Sequence, residues 1–257
     1  MPSAVAETME AVAALGLLAG GLAYASAWPT SQLFGRTLVA GADPSEVALT
    51  YDDGPNPAVT PQLLELLVRH NVRATFFAIG SFARREPALI RRIVAEGHLL
   101  ANHTMTHPNL SLQSAARIRQ ELADCTSILE DIAGQPIRYF RPPFGARRPA
   151  VLRIARELGL TPILWNVTGH DWNPRGPDSI TARILANLTK GIARNRRRNR
   201  SSNLLLHDGG HLNLGAPRLD TVAATQCLLS DHAGTPTRFV TVDAWETAKQ
   251  SPAPEAH

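Results

Sequence analysis

Short apolar runs alternate with longer stretches of helical spacing through most of this chain. The runs Glu46–Tyr51, Ala74–Ile79, His98–Asn102, Arg138–Phe140, Pro162–Asn166, Asn203–Leu206 and Arg238–Thr241 are bounded by Gly, Pro, Asn or Asp and predict strands. Between them, Pro61–His70, Glu86–Glu96, Leu112–Ile132, Pro149–Leu158, Ser179–Ile192 and Arg218–Ala233 place apolar residues at helical intervals. Thr60 is positioned as an N-cap with Pro61 at the first helical position, and Gly97, Gly134 and Gly159 stand where helices would end. Steady alternation of strand and helix predicts an α/β domain on a parallel sheet, either open or closed as a barrel.

The N-terminus breaks this pattern. No charged residue occurs from Ala11 to Gly35, and Ala11–Ala27 is rich in Ala, Leu and Gly. That length borders on the roughly 20 residues a membrane span needs. Ala25-Ser26-Ala27 also has the form of a signal-peptide cleavage site, but Glu7 and Glu10 precede the apolar stretch and no Lys or Arg does. We therefore expect a hydrophobic anchor or signal segment over residues 1–29, with the uncleaved anchor favoured. A linker over 30–45, one α/β domain over 46–248 and a flexible tail over 249–257 follow. Arg36 beyond the apolar stretch and acids before it lean towards a cytoplasmic domain.

Composition narrows the partners. The 257 residues are 44% hydrophobic and 19% charged, enough for one sizeable core and unlike a disordered chain. The net charge of +4 is carried almost wholly by arginine, since Lys190 and Lys249 are the only lysines. It is too small to argue for nucleic acid, and fits either a solvated surface or anionic surroundings such as a membrane or acidic wall polymers. The run Arg194–Arg200 reads as a solvated loop between a helix and a strand, with lipid phosphate or an anionic polymer as the alternative contact. Cys125 and Cys227 make neither a CxxC site nor a disulfide framework and read as structural thiols.

The chemistry collects at one edge. Asp52-Asp53-Gly54, His103 with His107, Arg141, Asp171-Trp172 and His207-Asp208 all follow predicted strands. Active sites of parallel α/β sheets are built at that C-terminal edge. On a helical turn, His103 and His107 would face the same way and could chelate one ion, and a carboxylate would complete a three-ligand site. Asp52 and Asp53 are neighbours on a strand end and should point apart, one to a metal and the other to a water. A simple turn explains Asp-Gly-Pro, but not two acids opposite two histidines. His207 could be an ordinary strand-end histidine, or a general acid held protonated by Asp171, while Arg141 could clamp a carboxylate.

Together these segments resemble the five motifs of the polysaccharide deacetylases, carbohydrate esterase family four. They are Leu49–Pro55, His103–His107, Arg141-Pro142-Pro143-Phe144-Gly145, Asp171-Trp172 and Leu204–Asp208, and the match runs over roughly residues 46–245. The resemblance implies a distorted (β/α)7-type barrel and metal-dependent N-deacetylation of an N-acetylglucosamine-containing glycan. It implies Asp52 as base, Arg141 as its clamp, His207 as acid tuned by Asp171, and Asp53, His103 and His107 as ligands of a divalent ion, Zn2+ first and Co2+ second. It further implies that Tyr51, Pro143, Phe144, Trp172 and Leu205 line the substrate pocket, with the Phe144 N–H as an oxyanion donor. His170 and His211 are additional histidines near the site, neither counted as a ligand; His211 follows Asp208-Gly209-Gly210 and could reach the groove, but reads first as a surface-loop residue. The implied setting is the cell envelope, with an N-acetylated glycan or amino sugar as partner, association with the membrane through the N-terminal segment, and no nucleic acid. A deacylase or deformylase of a lipid-linked amino sugar and an inactive glycan-binding pseudoenzyme are the competing readings.

Overall fold

The structure, a computed structural model, describes residues 4–173 and 179–247. The expected tail and Lys249 lie outside the described residues. Strand β1, Glu46–Gly54, is central, and its residues alternate between two cores. Val47, Leu49 and Tyr51 face the helices, while Ala48 faces the sheet's concave side. One edge of β1 pairs with β7, Ser202–His207, over Val47–Asp52. The other edge is shared: β8, Arg238–Val240, pairs with Glu46–Ala48, and β2, Thr75–Ala78, takes over from Thr50.

Beyond β2 lie β3, Leu99–Asn102, then β4, Tyr139–Phe140, then β5, Thr161–Pro162. On the far side β6, Val167–Thr168, pairs with β7. All pairings are parallel, giving the curled α/β half-barrel that the alternation predicts. The outer helices bury one layer of Leu, Ile and Val against the sheet, and the concave side is plugged by Leu38, Phe77, Tyr139, Ile163, Val242 and Trp245.

The strand expected over Pro162–Asn166 is not continuous. β5 and β6 are the two opposite edges of the sheet, so the chain between them must cross the opening. Residues expected to form a linker help close it: Leu38 bridges to Ile163, donating to Pro162 O at 2.9 Å and accepting from Leu164 N at 2.9 Å. The Asn203 side chain ties Val39 O and Leu164 O together, and Asn166 Oδ1 accepts from Asn203 N in place of a ladder bond.

Several helix boundaries differ from those expected. The expected helix at Leu112 begins instead at Ala115, after Ser114, whose hydroxyl accepts from Arg117 N. The expected helix at Glu86 is preceded by a short one, Gly80–Arg85, and starts at Pro87. The arginine run is only partly a loop: the helix Ile180–Arg197 carries Arg194, Arg196 and Arg197 in its last turn, where cations complement the carbonyl end of the dipole, and residues 198–200 form the turn that follows.

The N-terminal helix α1 spans Ala4–Ala27. No helix of the described residues is long and apolar enough to cross a membrane. Its last turn is fastened to the loop after β4. The buried Arg147 guanidinium donates to the carbonyls of Ser26, Trp28, Ser31 and Gly145 at 2.7–3.2 Å. Ser26 Oγ donates to Arg147 O at 2.7 Å. These carbonyls include ones that a helix end leaves without partners. Arg147→Ala should cost about 2 kcal/mol, since hydrogen bonds to charged groups are worth roughly 1.5–3 each but carry a burial penalty here. A thermal midpoint lowered by about 4–8 °C, with new proteolysis near residues 26–31, is the expected result.

Candidate active site and metal centre

Both acids that end β1 face one cleft, contrary to the expectation that neighbours on a strand point apart. The ladder to β2 slips between Asp52 and Gly54, and Asp53 adopts φ 71°. This left-handed bulge turns both carboxylates towards His103, whose Nε2 lies 3.8 Å from Asp52 Oδ2 and 3.4 Å from Asp53 Oδ1. Behind the turn, Asp208 accepts from the Thr60 hydroxyl and occupies the space a side chain on Gly54 would need. Burial and the nearby Asp53 and Asp52 carboxylates raise Asp208 to about 7, partly offset by Thr60.

His103 and His107 do not lie on a helical turn. They end a loop in which Thr104 and His107 have φ 70° and 59°. The loop is held by Thr104 N donating to Asn102 Oδ1, His107 N to Thr104 Oγ1, and the backbone and hydroxyl of Thr106 to the buried carboxylate of Glu121. His107 Nε2 reaches Asp53 Oδ1 at 3.1 Å.

The donor set fits a divalent ion. His103 Nδ1 lies 2.8 Å from Arg141 O, which fixes the proton on Nδ1 and leaves a lone pair on Nε2. Burial depresses His107, outweighing the Asp53 carboxylate, so its ring is neutral at neutral pH. Asp53 Oδ1 is buried and accepts no hydrogen bond, although His107 Nε2 lies 3.1 Å and His103 Nε2 3.4 Å away. Burial would raise Asp53, but His103, His107 and His211 hold it well below the usual carboxylate range. One carboxylate and imidazole nitrogens around an open cleft are a donor set suited to zinc or cobalt.

The expected clamp is present. Arg141 Nη1 donates to Asp52 Oδ1 at 2.7 Å and to Thr50 Oγ1 at 2.7 Å, and its guanidinium lies 4.0 Å from the Phe77 ring centroid. Asp52 Oδ2 is thus the oxygen left towards the cleft. Across from it, His207 Nδ1 pairs with Asp171 Oδ1 at 2.8 Å, while Asp171 Oδ2 accepts from His207 N and the Thr221 hydroxyl. Burial alone would lower His207, but Asp171, with smaller help from Asp53 and Asp52, raises it to about 9.

The sequence profile described as polysaccharide deacetylase matches residues 40–163. A chitooligosaccharide deacetylase of Bradyrhizobium sp. (strain ANU 289) is 41% identical over 164 residues, covering 63% of this chain and 70% of the relative. The chain belongs to the polysaccharide deacetylase family. A solved peptidoglycan N-acetylglucosamine deacetylase superposes with a TM-score of 0.69 at 32% identity, covering 81% of this chain and 91% of that one. A family 4 acetyl xylan esterase from Clostridium thermocellum, in complex with a cobalt ion, superposes with a TM-score of 0.67 at 27% identity, covering 80% and 93%.

The residues expected to line a pocket in this polysaccharide deacetylase separate into two groups. Trp172 is exposed and packs edge-on against His207 at 5.1 Å, and Phe144 is exposed beside His107 at 4.8 Å. Pro143 and Leu205 are buried near them, in the loop after β4 and on β7. Gly145 and Ala146 donate their N–H groups to Pro142 and Pro143, whereas the Phe144 N–H has no acceptor among the described residues. Tyr51 is a correction. It points into the helix layer, stacks on Phe76 and shares a hydrogen bond with Thr225, so it lines no pocket. Strand alternation accounts for this: once Asp52 faces the cleft, Tyr51 faces the opposite side. His170 is exposed beside Trp172, 5.2 Å between rings.

For His211 the structure favours the second of the two readings: from its loop it reaches the groove, stacking on His107 at 4.4 Å with Nδ1 3.8 Å from Asp53 Oδ2. The sequence signal was the pair Gly209-Gly210, which lets the loop come close. A side chain on Gly209 would fall on the Asp53 carbonyl oxygen.

Proposed function

We propose that this chain is a metal-dependent hydrolase that removes the acetyl group from N-acetylglucosamine units of a glycan, releasing acetate and leaving a free amine. The observation that carries this reading is the convergence, on one cleft, of an Arg-clamped carboxylate, a carboxylate–imidazole ligand cluster and a carboxylate-paired imidazole. The chitooligosaccharide and peptidoglycan N-acetylglucosamine deacetylases among its relatives support the substrate class.

Asp53, His103 and His107 would hold the ion, with zinc preferred and cobalt as substitute. A divalent ion there supplies polarisation of the amide carbonyl and acidification of a water. Asp52 Oδ2 takes the proton from the attacking water, and Arg141, donating to Oδ1, keeps that carboxylate aimed. The Phe144 N–H donates to the oxygen of the tetrahedral intermediate. His207, protonated because Asp171 faces it, gives its Nε2 proton to the departing nitrogen as the carbon–nitrogen bond breaks. Trp172 and Leu205 bound the space for the acetyl methyl. The cell envelope, where such glycans lie, is the proposed setting.

Metal-free full-length chain given zinc or cobalt should release acetate from N-acetylglucosamine oligomers or peptidoglycan. Release that is indifferent to chelation would overturn the metal-dependent reading. Bound metal with no release from either glycan would overturn the substrate class.

A further inference from the structure

The loop after β7 brings a further imidazole to the cluster that the family resemblance does not account for. One ligating atom each from Asp53, His107 and His211 lies within 4.8 Å of the others. Two ligands at the usual distance from one zinc ion sit about 3.4 Å apart in a tetrahedral arrangement. Ligation requires His211 to close that difference, and its Nδ1 already lies 3.8 Å from Asp53 Oδ2. Its ring is already confined, stacked on His107 at 19° between planes and met edge-on by Phe144 at 5.5 Å.

One observation points to a ligand at this spot, and a second places the His211 loop against it. Asp53 is 4% exposed and its Oδ1 has no hydrogen bond. The backbone two residues before His211 packs on the Asp53 main chain, in space that only a glycine leaves free. The loop is therefore built against the carboxylate that would hold the ion.

We propose that His211 is a fourth protein ligand, joining Asp53, His103 and His107. This rests on the metal-dependent reading above. The centre then offers three imidazoles and one carboxylate. Such a nitrogen-rich set favours zinc, cobalt, nickel and copper over magnesium and manganese. Four protein ligands alone would close a tetrahedral site, so the water to be activated would need a fifth position.

The test uses metal-free full-length chain and its His211→Ala and His211→Asn variants, with circular dichroism to check folding. Cobalt is added and the visible bands recorded, since their position and intensity follow coordination number and geometry. Zinc affinity is measured by competition with a chromophoric chelator. The expected result is a 10- to 100-fold weaker zinc affinity in both variants, the order seen when residues ordering a metal site are lost, and an altered cobalt spectrum. A cobalt spectrum identical to that of the unmodified chain, with zinc affinity within twofold, overturns the proposal. If the unmodified chain binds metal and releases acetate while the variants match it, only the role of His211 falls. If the unmodified chain binds no metal, both readings fall.

Discussion

Asp52→Asn should reduce kcat/KM by about 10³- to 10⁴-fold, at the upper end of what a general base contributes. The substitution keeps an oxygen for Arg141 Nη1, now 2.7 Å from Asp52 Oδ1, but removes the oxygen that can accept a proton. Truncation to Ala would be a poorer test. It would leave the fully buried Arg141 without its counter-charge, and breaking such a pair costs about 3–5 kcal/mol. Zinc affinity separates the outcomes. Affinity retained with activity lost assigns Asp52 to proton transfer; loss of both would mean that Asp52 shapes the ligand cluster. Activity within tenfold of the unmodified chain would remove Asp52 from the reaction.

The second large effect belongs to Asp171. In Asp171→Asn, the amide nitrogen can meet His207 Nδ1 only as a donor facing a lone pair, so the imidazole is held in the wrong tautomer. A loss of about 10²- to 10⁴-fold is expected. The pH profile adds a readout that simple damage would not give. His207 is raised to about 9, so its acid form persists through neutral pH and is lost above that value. Without Asp171 the alkaline limb of kcat/KM should move down by at least one pH unit. The sign for stability is the same. A histidine raised on folding contributes stability that is complete below its ordinary value near 6.5 and is lost as pH rises through about 9. The thermal midpoint should fall across that window, and Asp171→Asn should flatten the fall. An unmoved alkaline limb would assign that limb to another group.

Much of this was legible from residue order. The strands around Asp52, His103, Arg141 and His207 are short apolar runs with clear boundaries, and parallel pairing carries their ends to one edge. What escaped is local backbone geometry. Asp53, Thr104, His107, Phe144 and His170 all have positive φ although none is glycine. No periodicity announces such conformations, which persist only where surroundings over-determine them, often at functional sites. The HxxxH spacing therefore suggested a helical turn where Asn102, Thr104 and Glu121 hold a loop. Tyr51 is a different kind of error, since two-residue alternation along β1 already placed it opposite Asp52. The gap at Ile163–Asn166 depends on which strands become edges, a property of the assembled sheet that no single segment encodes.

The four-carbonyl grip of Arg147 has a mechanical consequence. It removes the hinge that a loose connection would have provided between the N-terminal helix and the catalytic loop. Shortening the chain to begin after Ala27 would discard the Ser26 contacts and slacken the Pro143–Gly145 turn that carries Phe144. The helix end is thus a built-in brace of the cleft's rim, and a change at one is felt at the other.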